Sequence, residues 1–183
     1  ELFEFTFKIN YLKEQNKKNA VGIKRECNKM ELDKIIKNLP FKLTDDQKKA
    51  LDEIIDDLSS DHKMNRLLQG DVGSGKTIVA FLAMYYNSIC GYQSALMAPT
   101  EILATQHYEE FKKLFERFNL NIELLVGSRT LKEKRDIKER LYNGEIDILI
   151  GTHALIEDDV EFKNLGIIVA DEQHRFGVAQ RNK

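Results

Sequence analysis

Gly70-Asp71-Val72-Gly73-Ser74-Gly75-Lys76-Thr77 matches G-x-x-x-x-G-K-[ST] in full, the pattern of a nucleotide-phosphate cradle. A polyphosphate packs several negative charges close together, and consecutive backbone N–H groups can surround it only where no bulky side chain intervenes, so the loop is built on glycine. All eight residues are expected nucleotide contacts. Lys76 provides a point charge for the terminal phosphates and Thr77 a hydroxyl for Mg²⁺, while the helix that starts there adds the partial positive charge of its N-terminus. The flanks suit such a loop: Leu67-Leu68 is apolar and strand-like, and Ile78 to Cys90 is apolar on nearly every face, as a helix buried against a sheet should be.

Working outward, the periodicity predicts helix over 45–58, strand up to Gln69, helix over 76–90, strand over 94–97, helix over 101–118, strand over 122–126, helix over 131–143, and strands over 146–150 and 166–170. Strands separated by helical segments imply right-handed crossovers and a mostly parallel sheet flanked by helices, an α/β fold. Upstream, 1–17 supports either period and is read as helix; 16–28 is polar and linker-like, and 30–38 is a short helix stopped by Leu39-Pro40. A boundary near 40 follows, with an N-terminal helical linker over 1–39 and a nucleotide-binding lobe over 40–183. Ile102, Leu103, Phe111, Leu114, Phe115 and Phe118 recur at helical spacing and read as core.

Composition narrows the partners. At 183 residues the chain can bury about 70% of its unfolded surface. With 28 Lys+Arg against 30 Asp+Glu and a net charge of −2, it lacks the footprint of a generally basic nucleic-acid binder, so any such contact must be local. The charged run Leu131 to Arg140 mixes signs and places Asp136 one turn from Arg140, the signature of a solvated helix face. Cys27 and Cys90 are too few and too distant for a disulfide framework or a metal site, and read as reduced structural thiols. No apolar stretch approaches the ~18 residues of a membrane span, and Glu1-Leu2-Phe3-Glu4 does not begin a signal peptide. The expectation is a cytoplasmic, monomeric piece with no membrane partner.

A Mg²⁺-nucleotide site also needs an acidic group at the end of a neighbouring strand. Gly166-Ile167-Ile168-Val169-Ala170-Asp171-Glu172 supplies it: Asp171 to hold Mg²⁺, and Glu172 to orient and deprotonate the water attacking the γ-phosphate. The pair points to an ATP hydrolase rather than a passive binder.

Asp171-Glu172-Gln173-His174 resembles motif II of superfamily 2 helicases and translocases, Ala98-Pro99-Thr100-Glu101 resembles their motif Ia, and Gly151-Thr152-His153-Ala154 resembles the next DNA-facing motif. Together with the phosphate loop and the Arg175-Phe176-Gly177-Val178 tail, these look most like the bacterial branch-migrating DNA helicases, over about residues 40 to 183. The transcription-repair coupling translocases share that tail but typically carry Phe, Thr and Glu where Ser74, Glu101 and Gln173 stand here. The resemblance implies the first RecA-like motor lobe of an enzyme that remodels stalled forks and Holliday junctions in recombination and repair, using ATP and Mg²⁺, with branched DNA as partner. It also implies that a motif after motif II, a second lobe with its arginine, and a wedge domain lie outside these 183 residues, leaving the piece alone nearly inactive.

Several residues carry two readings. Gln47 in Leu43-Thr44-Asp45-Asp46-Gln47 resembles the glutamine that reads an adenine edge, with Phe41 stacking nearby, yet Thr44 and Gln47 also satisfy a Thr-x-x-Gln capping box. His174 is either a γ-phosphate sensor, a bridge to the next motif or a buried structural histidine. Thr100, Glu101, Thr152 and His153 lie just beyond strand ends, where a hydroxyl or backbone N–H can meet a DNA phosphate, and Thr100 is equally a helix N-cap. His62 and His107 sit among polar neighbours and are assigned no role, while Arg175 and Phe176 pack or relay between sites. Two other functions stay open: a motor that displaces RNA polymerase, and a nucleotide-binding module without motor activity.

Overall fold

Threonine starts three of the helices that build the lobe. Thr44, Thr100 and Thr130 accept hydrogen bonds from the backbone N–H three residues on, at the heads of α2 (Asp45–Leu58), α4 (Glu101–Phe115) and α5 (Leu131–Asn143). In α2 and α5 the third helical residue, Gln47 or Glu133, reaches back to complete a capping box, which satisfies two otherwise orphaned donors at once. α5 ends on Gly144 in the left-handed conformation. The remaining helices are α1 (Lys29–Asn38) and α3 (Lys76–Ile89). The computed structural model describes residues 24–25, 27–61, 63–157 and 159–171; the helix expected over 1–17 lies outside them.

Strands β1 (Gln93–Met97), β2 (Ile122–Leu125), β3 (Ile148–Gly151) and β4 (Leu165–Ala170) form one parallel sheet in the order β2-β3-β1-β4. The order explains the layering. The step from β1 to β2 crosses the sheet in one direction and the step from β2 to β3 returns, so right-handed crossovers must put α4 and α5 on opposite faces. They do: Phe111 and Phe115 of α4 join the larger core with α1, α2 and α3, while Ile137 and Leu141 of α5 pack with Leu125, Leu149 and Ile146 in a second cluster. Strand β3 alternates accordingly, Ile148 and Ile150 to the first core and Leu149 to the second, as a period of two requires. α3 is the central helix, with Phe81, Leu82, Ala83, Met84, Tyr85 and Tyr86 all buried.

Three expectations are corrected. No strand forms ahead of the phosphate loop among the described residues: 63–70 is irregular and Leu67 is 82% exposed. Two adjacent leucines offer little apolar surface to a sheet, and Arg66 is drawn instead to α2, where its guanidinium meets Glu53 at 2.7 Å and also pairs with Asp57. Ile102 is not core but 80% exposed, because the buried stripe of α4 runs through Ala104, His107, Phe111 and Phe115. Cys27 and Cys90 are not free thiols; they form a disulfide across a Cα–Cα distance of 5.3 Å. α1 lays Leu32 and Ile35 into the core shared with α3, and this packing carries Cys27 to the C-terminal end of α3. Arg25 reinforces the attachment: its guanidinium donates to Asn87 Oδ1 at 2.7 Å and to the carbonyl of Gly166. A Cβ on Gly166 would come within 2.9 Å of that guanidinium and 2.3 Å of Asn87 Oδ1.

Candidate functional site at the strand ends

Parallel register aligns the carboxyl ends of the strands. Met97 lies opposite Gly151 on one side and Ala170 on the other, and Gly151 opposite Leu125. The residues that follow therefore share one edge: Thr100 and Glu101, Thr152 and His153, and Asp171. Backbone bonds continue past the strands, from Ala98 N–H to the Gly151 carbonyl and from Asp171 N–H to the Met97 carbonyl, each 2.8 Å. A Cβ at Gly151 would sit 2.2 Å from the Leu125 carbonyl oxygen, so only glycine lets β2 and β3 approach there.

The phosphate loop turns through Asp71 to Ser74, whose N–H returns to the Asp71 carbonyl at 3.1 Å. Gly73 and Gly75 both adopt positive φ, 82° and 76°, a region closed to most side chains. Gly75 is the N-cap of α3, and among the described residues no side chain caps that helix or places an acid in its first turn. The other four helices each carry an acidic residue in the first turn and a side-chain cap. The N–H groups and the positive dipole end of α3 are thus left without a protein anion. Lys76 Nζ donates to the Gly70 and Asp71 carbonyls, both at 2.8 Å, which holds the ammonium against the loop with one hydrogen to spare. Gly70, Asp71, Val72, Gly73 and Ser74 are exposed, and Thr77 is half-buried.

Gln47 joins this loop to α2. Its Oε1 accepts the Thr44 N–H at 2.9 Å and its Nε2 donates to the Ser74 carbonyl at 2.8 Å. One amide hydrogen and one lone pair stay available. Phe41 is exposed.

Asp171 meets a residue that the sequence reading passed over. His107, 7% exposed on α4, lies with Nε2 2.7 Å from Asp171 Oδ2. That hydrogen bond, helped by the Lys76 charge and opposed by partial burial, holds the Asp171 carboxyl below its usual pKa, so it is ionised at neutral pH. His107, expected among polar neighbours and assigned no role, is therefore corrected to a buried histidine bonded to Asp171. A signal did exist: it falls on the stripe Ala104, His107, Phe111, Phe115, but Gln106, Glu109 and Glu110 around it disguised the period. Glu172 and His174 lie outside the described residues.

Thr100 caps α4, its Oγ1 accepting the Leu103 N–H at 3.3 Å. Glu101 Oε1 accepts the Ser128 N–H at 3.2 Å and ties α4 to the loop after β2. Thr152 is buried, and His153 opens the 3₁₀ turn His153–Ile156 on the exposed side. The sequence-predicted residues thus split into a loop–lysine–aspartate group and an outer group along the same edge.

Known proteins resemble this chain in sequence and fold. The chain is 52% identical over 181 residues to the ATP-dependent DNA helicase RecG of Streptococcus pneumoniae, covering 99% of this chain and 27% of that protein. It is 50% identical over 183 residues to the RecG of Bacillus subtilis, covering 100% and 27%; it spans about a quarter of the length of these relatives. Among solved structures, RecG bound to a three-way DNA junction superposes with a TM-score of 0.83 at 51% identity, over 91% of this chain and 23% of that one. A hypothetical ATP-dependent RNA helicase from Sulfolobus tokodaii, 19% identical over 79% of this chain and 41% of that one with a TM-score of 0.57, shares the fold. The sheet and its helices are thus those of a RecA-like helicase lobe, a nucleotide-binding fold. The DEAD/DEAH box helicase family profile matches residues 44–183, and a match that starts at the threonine capping α2 and runs through every strand of the sheet means that the chain belongs to the DEAD/DEAH box helicase family.

Proposed function

We propose that residues 40–183 are the first ATP-binding lobe of a DNA helicase that remodels branched DNA, and that 1–39 are a helical linker leading into it. The observation that carries the nucleotide half is α3: the one described α-helix with neither side-chain cap nor first-turn acid follows the glycine loop and starts with Lys76, whose charge reaches Asp171. The residues present fit Mg·ATP. Gly70 to Gly75 offer backbone N–H groups, Lys76 and Thr77 face the terminal phosphates, and ionised Asp171 with the Thr77 hydroxyl supplies the hard oxygen donors that Mg²⁺ requires. When bound, the ion would neutralise charge developing on the γ-phosphate. Glu172 takes the proton of the attacking water, His174 contacts the γ-phosphate side, and Gln47 uses its remaining donor and acceptor on the adenine.

Thr100, Glu101 and His153 face DNA backbone from the outer part of the edge, to which buried Thr152 offers at most its backbone N–H. The names of the half-identical relatives, and the three-way junction bound in the similar structure, favour branched DNA over a transcription-coupled cargo. Among the described residues no helix is long and apolar enough to cross a membrane; the lobe acts as a monomer in the cytoplasm, where thiols are kept reduced, so the Cys27–Cys90 bond belongs to the oxidised protein. The test uses the full-length protein. Lys76→Ala should abolish DNA-stimulated ATP hydrolysis, and Glu172→Gln should keep nucleotide binding while losing turnover. Undiminished turnover in Lys76→Ala refutes the site.

A further inference from the structure

We infer that His107 is a positioning residue for the reaction: its imidazole fixes the orientation of the Asp171 carboxylate and ties that carboxylate to helix α4. This role rests on the nucleotide reading above. Three observations carry it. Nε2 of His107 lies 2.7 Å from Asp171 Oδ2, joining residues 64 positions apart. An ionised carboxylate only accepts, so Nε2 is the protonated nitrogen and donates. The ring is also held edge-on by Phe81 of α3, with centroids 6.1 Å apart at 86°, so both the helix behind the phosphate loop and α4 set its orientation.

The third observation argues against a purely packing role. Among the described residues Nδ1 of His107 is buried without a hydrogen-bond partner, a desolvation cost that a leucine or methionine at this place in the stripe would avoid. An apolar side chain would serve the core better, and the imidazole is explained by its bond to Asp171. Holding Oδ2 leaves Oδ1 to face the site, as hydrogen bonds to ligating carboxylates do elsewhere. Because α4 opens at Thr100 and Glu101 on the sheet edge, any shift of that helix moves the carboxylate with it.

The test compares full-length wild type, His107→Phe, His107→Met and His107→Gln. It measures kcat and KM for DNA-stimulated ATP hydrolysis, and ADP affinity in Mg²⁺ and in EDTA. Glutamine keeps an N–H donor at similar reach; phenylalanine and methionine keep bulk without it. Phe and Met should lower kcat and the Mg²⁺-dependent gain in ADP affinity by about 10- to 100-fold, the range for lost partners of metal ligands, with affinity in EDTA unchanged and KM within about threefold. Gln should restore most of both. If Phe does not fold, Met against Gln decides. Equal losses in Met and Gln, or an unaltered Mg²⁺ response in Met, overturn the role. Wild type without Mg²⁺-dependent turnover overturns the nucleotide reading and this role with it.

Discussion

Replacing Gly75 by alanine should destabilise the lobe by more than the same change at Gly73, and the difference should come from Gln47. Both glycines sit at nearly the same positive φ, 76° and 82°. An alanine there costs about 1–2 kcal/mol for the left-handed conformation, offset by about 0.4–1 kcal/mol from a stiffer unfolded chain. For Gly73, with nothing within 4 Å of the added Cβ, the net is about 1 kcal/mol. At Gly75 the Cβ would lie 2.3 Å from Gln47 Nε2, so the amide must leave and its bond to the Ser74 carbonyl breaks, adding about 0.5–1.5 kcal/mol. Urea unfolding of the 183-residue chain measures both. A double-mutant cycle with Gln47→Ala isolates the coupling, since Gly75→Ala should approach the Gly73→Ala cost once the amide is gone. Equal costs in the wild-type background, or an unchanged gap in the Gln47→Ala background, refute the reasoning.

The disulfide makes a second prediction: Cys27→Ser should lower the stability of oxidised protein by about 4 kcal/mol at most, the loop-entropy value for a closure of this length, and reductant should do the same to wild type but leave the variant unmoved in unfolding curves. Glu133 is held at a pKa of about 2 by Thr130 Oγ1, then the Thr130 N–H, then Arg129; its folded pKa is depressed, so its contribution is complete above the ordinary carboxylate range and is lost as pH falls towards 2. Thr130→Ala should raise that pKa, read by NMR titration, and an unmoved value refutes the capping account. The 183-residue chain alone should hydrolyse ATP near background and without DNA stimulation, because an arginine from a partner lobe contributes about 10³ to 10⁵ in rate; phosphate release with and without branched DNA tests this, and robust stimulation contradicts it.

Much of the fold was legible because local physics and tertiary packing agree. The Thr-x-x-Gln box marked the start of α2 at Asp45, the charged periodic run placed that of α5 at Leu131, and the uniformly apolar run after Lys76 announced the central helix. Where the two disagree, the reading failed. Leu67-Leu68 looked like a strand, but a strand needs a neighbour, and Arg66 found its partners on α2 instead.

The phosphate loop, the acidic strand end and the alternation of strands and helices belong to the sequence alone, since each follows from backbone sterics, charge or periodicity within a few residues. The pairing of Cys27 with Cys90, the reach of Gln47 to Ser74 and the contact of His107 with Asp171 were decided only in three dimensions. Their partners lie 27 to 64 positions apart, and the crossovers that bring them together depend on strand order. No local propensity encodes that order, because it is selected by burying both faces of one sheet at once.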